Sequence, residues 1–366
     1  MNESSNFPSY LRVAIFITGI YFLFEILIAG QSIIVPIIYA GLFAILLNPV
    51  VRLFTRFGLN RVLSIMIALI LALILIAMLI IFLSTQVTLF SESLPLVIDK
   101  FYKLLDEGVN HFSGRFNISV QTIKEWLAKT KGEELSKFSF GINSAISGME
   151  SMLFVLLIIP VYIFMISFYK PLLMEFLQKV VGKLHRQKVD EFLSSTNSLI
   201  QNYLIGLIIE AAIVAIMYST GLLIIGIEYP LLLGIIGALL NIIPYLGGVM
   251  AVALYMLIAF TTKDSASYVF WVAALFVFVH VVDNSYIIPK VVAGKVKINA
   301  LVAITAVLTG GAIWGVSGMF LAIPLTGVIK LVFDRIEMVK PFGFLLGDTM
   351  PDIINFKIKM RKKKNE

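Results

Sequence analysis

Long apolar runs, separated by short polar segments, dominate the chain. A helix needs roughly 20 predominantly apolar residues to cross the hydrocarbon core of a bilayer. Six segments are suited to this, namely 11–30, 33–51, 62–83, 152–169, 203–227 and 268–288, and two further apolar segments, 229–260 and 299–329, are longer. The pattern predicts an all-α polytopic membrane protein with six clear transmembrane helices and two long segments of another kind.

The two long segments contain helix-breaking residues near their middle. As one straight helix, segment 229–260 would measure about 48 Å, whereas the hydrocarbon core is about 30 Å thick. Pro244 lacks the N–H that a helix interior requires, and the second segment contains Gly310, Gly311 and Pro324. Two interpretations stay open. Each segment is either a re-entrant hairpin that enters and leaves on one side, or a kinked span, which gives eight crossings.

The charges of the short loops favour the hairpins. Lys and Arg are enriched in cytoplasmic loops, so Arg52, Arg56 and Arg61 place their loop in the cytoplasm, and both chain termini follow. With hairpins, the three lysines of loop 289–298 are also cytoplasmic, whereas eight plain spans would place them outside. The sequence therefore predicts a multi-pass protein with both termini in the cytoplasm.

The hairpin interpretation divides the C-terminal half into two similar units, 203–260 and 268–329, each a span followed by a broken segment. The two units would have opposite orientations and form an inverted repeat. Irregular backbone at membrane depth is tolerated only where protein covers it or where it lines a watery cavity. Interrupted segments at corresponding positions of two units are typical of transporter binding sites. We therefore expect a site between the two hairpin tips.

Polar segments divide the chain into six predicted parts. Amphipathic spacing after residue 91 predicts a small helical domain outside the cell, and Pro171 suits the start of a cytoplasmic helix in the membrane interface. The parts are the N-terminal spans 1–91, the extracellular domain 92–148, the fourth span 149–170, the interfacial helix 171–201, the transport core 202–335 and the basic cytoplasmic tail 336–366.

The composition argues against a water-soluble enzyme or nucleic-acid binder. Hydrophobic residues make up 59% of the chain and charged residues 14%, against about 45–50% and about 25% in soluble proteins. The net charge of +7 arises from bases at the ends of apolar segments and in the tail, which favours contact with membrane lipids. The sequence has no Cys, no P-loop and no His-Glu-x-x-His motif, so we expect no enzyme activity, no metal site and no cofactor.

Ionisable residues within apolar segments are the functional candidates, because charge inside a bilayer is costly. They are Glu25, Glu210, His280 and Asp283. Asp283 is the strongest candidate, since it could carry a proton or coordinate Na⁺ together with Asn241 and freed carbonyl groups. Its alternative role is to cap the turn before Pro289 or to pair with Lys290. Glu210 lies about two turns inside its span and is either a proton carrier or the partner of a base on a neighbouring helix.

Several motifs resemble the signature of a known family. They are Asn-Ile-Ile-Pro-Tyr-Leu-Gly-Gly at 241–248, Asp-Asn-Ser-Tyr-Ile-Ile-Pro-Lys at 283–290, Gly294-Lys295, Gly310-Gly311, Gly315, Gly318 and Ala-Ile-Pro at 322–324. In order and spacing the chain resembles the autoinducer-2 exporter family over nearly its whole length, with Ala300 where that family is expected to have proline. The resemblance implies a polytopic transporter of the bacterial cytoplasmic membrane. Some relatives are associated with autoinducer-2 export in quorum sensing, others with sodium–proton antiport and others with sporulation.

Residues and resemblance together predict a secondary transporter that exports a small polar molecule, such as autoinducer-2, coupled to a gradient of Na⁺ or protons. The alternatives are a Na⁺/H⁺ antiporter and, from another class, a non-transporting membrane organiser or sporulation-associated protein. A homo-oligomer stays open, since small residues such as Gly221 permit close helix packing. The residues predicted to line the solute and ion pathway are Asn241, Pro244, Tyr245, Gly247, Gly248, Asp283, Asn284, Gly310, Gly311 and Glu210, and those predicted to shape the motifs are Pro289, Lys290, Gly294, Gly315, Gly318 and Pro324.

Overall fold

Helices form almost all of the part of the chain that the computed structural model describes, which is residues 8–116, 149–181, 186–243, 246–263, 265, 267–293 and 297–348. No strand occurs among these residues. The helices are α1 Ser9–Ala29, α2 Gln31–Arg56, α3 Arg61–Phe116, α4 Met149–Val181, α5 Arg186–Ile225, α6 Pro230–Asn241, α7 Leu246–Thr262, α8 Ser267–Val282, α9 Ala300–Arg335 and α10 Lys340–Leu346. A π-helix, Asp283–Ala293, continues α8, and a 3-10 turn, Glu337–Val339, precedes α10.

By length and composition alone, seven helices of the described part could cross a membrane: α1 to α5, α8 with its π-helical extension, and α9, which is interrupted at Trp314 and Gly315. Many of their large apolar side chains face outward, for example Leu75, which is 70% exposed, and Ile224, which is 81% exposed. Such a surface suits contact with lipid and is unfavourable in water. The predicted fold class, an all-α polytopic membrane protein, is confirmed.

The first long segment is a helical hairpin. Its two helices, α6 and α7, have 12 and 17 residues, which correspond to about 18 and 25 Å, so neither alone spans a core of about 30 Å. The chain reverses between them so tightly that a Cβ atom on Gly247 would lie 1.7 Å from the carbonyl oxygen of Leu240. The alternative of one kinked span is therefore wrong for this segment. Pro244 and Tyr245 lie outside the described residues.

The second long segment, α9, also folds back on itself. Its helical geometry is interrupted at Trp314, with φ −129°, and at Gly315, with φ 61° and ψ −142°, a conformation that glycine adopts readily. A Cβ atom on Gly310 would lie 2.4 Å from the carbonyl oxygen of Gly318, although eight residues of straight helix extend about 12 Å. The chain thus folds back within this segment with its break among the glycines, as the hairpin interpretation predicted, whereas entry and exit on one side of the membrane stay a prediction. At its tip, the Trp314 indole donates a hydrogen bond to the Leu27 carbonyl at 2.9 Å.

Two successive units thus have the same order of elements. The end of α5 is followed by the α6–α7 hairpin, and α8 is followed by the α9 hairpin. The two units match the predicted segments 203–260 and 268–329. Because a hairpin returns the chain to the side it came from, the helices that precede the two hairpins would cross a bilayer in opposite directions. The inverted orientation of the repeat stays a prediction.

Two predicted boundaries, at residues 91–92 and 201–202, fall inside helices. The long helix α3 continues past residue 91 to Phe116, and its 56 residues would measure about 84 Å, so it extends well beyond a bilayer. The remaining part of the predicted extracellular domain, 117–148, lies outside the described residues. The expected boundary at 201–202 lies inside α5.

The predicted helix start at Pro171 is wrong, because α4 runs through this residue from Met149 to Val181. A proline inside a helix leaves the carbonyl four residues earlier without its usual N–H partner, here the carbonyl of Ser167. The Arg61 guanidinium donates a hydrogen bond to that carbonyl at 2.7 Å. The side chain of another helix thus satisfies the carbonyl group, and α4 continues without a break.

The beginning of the predicted cytoplasmic tail is folded. Helix α10 packs on the end of α9, where a Cβ atom on Gly343 would lie 2.3 Å from a carboxyl oxygen of Asp334. The Asn299 side chain donates hydrogen bonds to the carbonyls of Leu345 and Gly347 at 2.7 and 2.9 Å. The boundary at residue 336 therefore separates elements that pack together. The basic residues after 348 lie outside the described part.

The close contact inside the α9 hairpin leads to a stability prediction. Gly310→Ala should lower the midpoint of thermal unfolding by a few degrees, since overpacking against the backbone of Gly318 costs about 1–3 kcal/mol. The matched control is Gly311→Ala. Its new methyl group would meet the flexible side chain of Met319, and alanine is the better helix former, so the midpoint should change little. Equal shifts for the two purified variants in a thermal unfolding assay would contradict this description of the hairpin.

Candidate site for an ion and a solute

Three polar side chains from three different elements meet in the interior. The Asn241 side-chain amide lies 3.3 Å from the Glu210 carboxylate oxygen Oε1 and 3.0 Å from the Asp283 carboxylate oxygen Oδ2. The amide nitrogen donates both hydrogen bonds. We call Glu210, Asn241 and Asp283 the carboxylate cluster.

Glu210 belongs to the buried face of α5. Tyr203, Leu207, Val214 and Tyr218, which are buried, share this face at helical spacing. Tyr203 and Leu207 belong to one apolar cluster together with Leu321 of α9, and Val214 and Tyr218 belong to another that includes α7 and α8. Glu210 therefore lies where the two apolar clusters of the bundle meet.

Asn241 is the last residue of α6 and lies at the tip of the first hairpin. Gly247, near the start of α7, permits this helix to begin against the backbone of Leu240 and Asn241. The neighbouring Gly248 is also close, since a Cβ atom there would lie 3.8 Å from the side-chain oxygen of Asn241. The tight hairpin thus presents one amide group to both carboxyl groups.

Asp283 is the first residue of the π-helix that continues α8. π-Helical geometry is rare in proteins. The π-helix packs on α5, where a Cβ atom on Gly206 would lie 2.5 Å from the carbonyl oxygen of Val291. The change of helical geometry and the absence of a side chain at Gly206 bring Asp283 and Glu210 towards each other.

Both carboxyl groups of the cluster are buried, and neither pairs with a Lys or Arg side chain of the described residues. Glu210 is 6% exposed and Asp283 is 3% exposed. Among the described residues neither forms an ion pair, so the second alternative for Glu210, pairing with a base of a neighbouring helix, is not found there, and its partner is the Asn241 amide. The second oxygen of Asp283, Oδ1, is buried without a hydrogen-bond partner in this part of the chain. Two buried negative charges without an ion-pair partner require a proton or a cation for compensation.

The chemistry of the cluster suits a hard monovalent cation or a proton. Oxygen atoms are the ligands that such cations prefer, and Glu210, Asp283 and the Asn241 carbonyl supply them. No group of three or more His, Asp or Glu side chains that could hold a metal ion occurs within the described ranges. The residues that could bind a cation are therefore two carboxylates and one amide.

The structure does not bring all predicted pathway residues to the cluster. Asn284 is exposed, and its amide donates to the carbonyl of His280 at 2.9 Å. Gly310 and Gly311 have their close neighbours, Gly318 and Met319, within their own hairpin. Pro244, Tyr245 and Gly294 lie outside the described residues.

The residues predicted to shape the motifs occupy several places. Pro289 and Lys290 are exposed in the π-helix, whereas Gly318 and Pro324 are buried in α9. Glu25, the first candidate in the chain, is exposed on α1. Sequence reasoning missed Gly206, since a lone glycine in an apolar span gives no signal of the backbone that approaches it.

Several membrane-spanning helices, two folded hairpins and a buried carboxylate cluster at one hairpin tip define the class as a polytopic membrane transporter. The chain belongs to the AI-2E transporter family, because the model of the "AI-2E family transporter" matches residues 10–338. The resemblance in the sequence motifs is thereby confirmed.

Bacterial proteins named as candidate transport proteins are similar over most of their length. YrrI of Bacillus subtilis (strain 168) is 27% identical over 310 residues, which cover 82% of this chain and 86% of YrrI. YhhT of Escherichia coli (strain K12) is 26% identical over 332 residues, covering 88% of this chain and 90% of YhhT. PerM of the same strain, named as a candidate permease, is 25% identical over 210 residues, which cover 56% of each chain. None of these names specifies a solute.

Proposed function

We propose that the protein is an ion-coupled secondary transporter that exports a small polar molecule, such as autoinducer-2, across the bacterial cytoplasmic membrane, with both of its termini in the cytoplasm. Na⁺ or a proton would occupy the carboxylate cluster. One observation carries the proposal: two buried carboxyl groups from different helices share the amide of Asn241, and the oxygen Oδ1 of Asp283 has no partner among the described residues.

The position of Asn241 provides a mechanism for coupling. Its amide is part of the hairpin tip, and it bonds to carboxyl groups of α5 and of the π-helix. A cation or proton that neutralises the carboxyl groups changes the attraction that holds the tip between them. A ligand shifts a conformational equilibrium by the difference in its affinity for the two states. Ion binding would therefore bias the hairpin between two positions, and a solute bound beside the tip would move with it.

A Na⁺/H⁺ antiporter is the second candidate, and a specific observation favours it. The cluster has two acidic groups, and neither forms an ion pair among the described residues. Such a pair can release protons when it binds Na⁺ and take them up when Na⁺ leaves, without any further solute. The non-transporting organiser becomes the preferred alternative only if the reconstituted protein moves neither ions nor solutes.

The test is a flux assay in proteoliposomes under imposed Na⁺ and proton gradients. We expect gradient-dependent flux for the wild type. Asp283→Asn and Glu210→Gln should each reduce coupled flux by at least about tenfold, because an amide cannot release a proton and binds a cation less strongly than a carboxylate. Autoinducer-2 and a panel of small polar solutes serve as cargo, and an assay without solute detects antiport.

The matched control is Glu25→Gln, which removes an exposed carboxyl group from α1. It should transport like the wild type. If Asp283→Asn and Glu210→Gln also transport like the wild type, the cluster does not couple ions. A wild type that moves neither ions nor solutes would overturn the transport proposal as a whole.

A further inference from the structure

A second site lies away from the carboxylate cluster. A cavity of about 610 Å³ lies where α2, α4, the start of α3 and the first half of α5 meet. Three basic side chains line it, Arg52, Arg61 and Lys170, and none of its lining residues is acidic. The two arginines flank the short connection between α2 and α3. The cavity therefore concentrates positive charge at one end of the bundle.

The three bases belong to different helices and lie close together. Lys170 is partly buried and lies within electrostatic reach of both Arg52 and Arg61. Arg61 is fixed by its hydrogen bond to the Ser167 carbonyl, one turn before Lys170. The positive charges of these three side chains repel one another, and an anion bound among them would offset this repulsion.

Acidic side chains near the cavity are engaged with other groups. Glu175 pairs with Lys179 at 2.8 Å, and Asp190 accepts a hydrogen bond from Gln178 at 2.6 Å. Neither of these carboxylates lines the cavity. No carboxylate of the described residues therefore lies inside the cavity to balance the three bases. An anion from outside the protein can bind there instead.

The rest of the cavity wall is largely apolar. Ile45 of α2, Ile166 and Leu177 of α4 and Leu193 of α5 line it. The wall is continuous with exposed apolar residues of α4, since Leu173 and Leu177 both line the cavity and are exposed. A bound anion with a hydrocarbon part could therefore extend from the bases along the lipid-facing surface of α4. A small hydrophilic anion would leave this wall uncovered.

We propose that this cavity binds a phosphate-bearing anion in the form of an acidic phospholipid. Its phosphate group lies among Arg52, Arg61 and Lys170, and its acyl chains lie on the apolar wall formed by α2 and α4. Basic pockets between transmembrane helices are suited to such head groups, and guanidinium groups match the geometry of phosphate. The site is independent of the carboxylate cluster and of the solute that the protein transports.

The test compares lipid binding to the full-length protein in detergent. Native mass spectrometry measures the retention of dioleoyl phosphatidylglycerol and of dioleoyl phosphatidylcholine, whose choline offsets the phosphate charge. We expect the wild type to prefer phosphatidylglycerol. Lys170→Gln should weaken its binding by roughly tenfold, as expected for the loss of one charge-assisted hydrogen bond. Lys170→Arg keeps the charge and should bind like the wild type.

Arg56→Gln is the matched control, because Arg56 is exposed at the end of α2 and does not line the cavity. It should retain the lipid preference. Equal losses in Lys170→Gln and Arg56→Gln would mean that general surface charge attracts the lipid, and would overturn the site. Displacement of the lipid by millimolar glycerol 3-phosphate would overturn the lipid assignment in favour of a soluble phosphate ester. If the wild type retained phosphatidylglycerol and phosphatidylcholine equally, the proposal would be overturned whatever the variants do.

Discussion

Asn241→Leu is expected to abolish coupled transport and to destabilise the protein. The two carboxyl groups of Glu210 and Asp283 would lose the amide that donates to both of them. A buried polar group left without a partner costs about 1–3 kcal/mol. This one substitution leaves two carboxyl groups without their hydrogen-bond donor. Leucine has the same branched skeleton as asparagine without its polar atoms, so the substitution removes the polar contact with little change of side-chain shape. Flux in proteoliposomes and thermal unfolding in detergent measure the two effects.

Asn284→Leu is the matched control for this experiment. The residue has the same type and lies next to Asp283, but its side chain is exposed and bonds to His280. Exposed substitutions usually change stability by no more than about 0.5 kcal/mol. We expect this variant to keep both its transport and its melting midpoint. If the two leucine variants behaved alike, the shared amide of Asn241 would have no special role.

A double-mutant cycle separates the contact from general damage. In the background Asp283→Asn, the substitution Asn241→Leu should cost less stability than in the wild type, because the group that it leaves without a partner is already neutral. Residues in one hydrogen-bond network show interaction energies of about 0.5–3 kcal/mol. Additive effects of the two substitutions would show that Asn241 and Asp283 act independently.

The sequence was sufficient for features that depend on the local chain. The length of segment 229–260 and the glycines of α9 predicted two breaks, and the structure has them between Asn241 and Leu246 and at Trp314 and Gly315. A helix whose backbone groups find no partner ends or turns, and at these two places the residue types were enough to indicate it. The apolar pattern likewise predicted the membrane-spanning helices.

Features that depend on contacts between distant segments could not be predicted in this way. Sequence reasoning named Glu210, Asn241 and Asp283 separately, but their meeting depends on how α5, α6 and the π-helix are rotated against one another. Asn284 was assigned to the pathway beside Asp283, yet consecutive residues of a helix point in different directions. The wider π-helical turn and the approach of Val291 to Gly206 set that rotation.

The misplaced helix start at Pro171 has a similar cause. Proline is a local signal for a helix boundary, and it normally leaves one carbonyl group without a partner. Here Arg61, more than a hundred residues earlier in the chain, donates to the carbonyl of Ser167. A contact between two helices thus overrides the local signal. The same contact fixes one of the three bases of the cavity.

Gly247→Ala should have the largest effect among the glycine substitutions of the first hairpin. Its Cβ atom would lie 1.7 Å from the Leu240 carbonyl oxygen and 2.9 Å from the Asn241 Cα atom, so backbone must move to admit it. The start of α7 would separate from the end of α6, and Asn241 would shift away from Glu210 and Asp283. Overpacking of this kind costs about 1–3 kcal/mol or more, and we expect transport to fall at least as far as in Asn241→Leu.

Gly248→Ala adds the same methyl group one residue further along α7. There the nearest atoms are ring carbons of Phe276 at 3.6 Å, which is an ordinary van der Waals distance. Its melting midpoint should match or exceed that of the wild type, since alanine favours the helix by up to about 1 kcal/mol over glycine. Purified in parallel, the two alanine variants should differ clearly in thermal unfolding and in flux. If Gly247→Ala were as stable and active as Gly248→Ala, then the tight hairpin tip would not be what holds Asn241 between the two carboxyl groups.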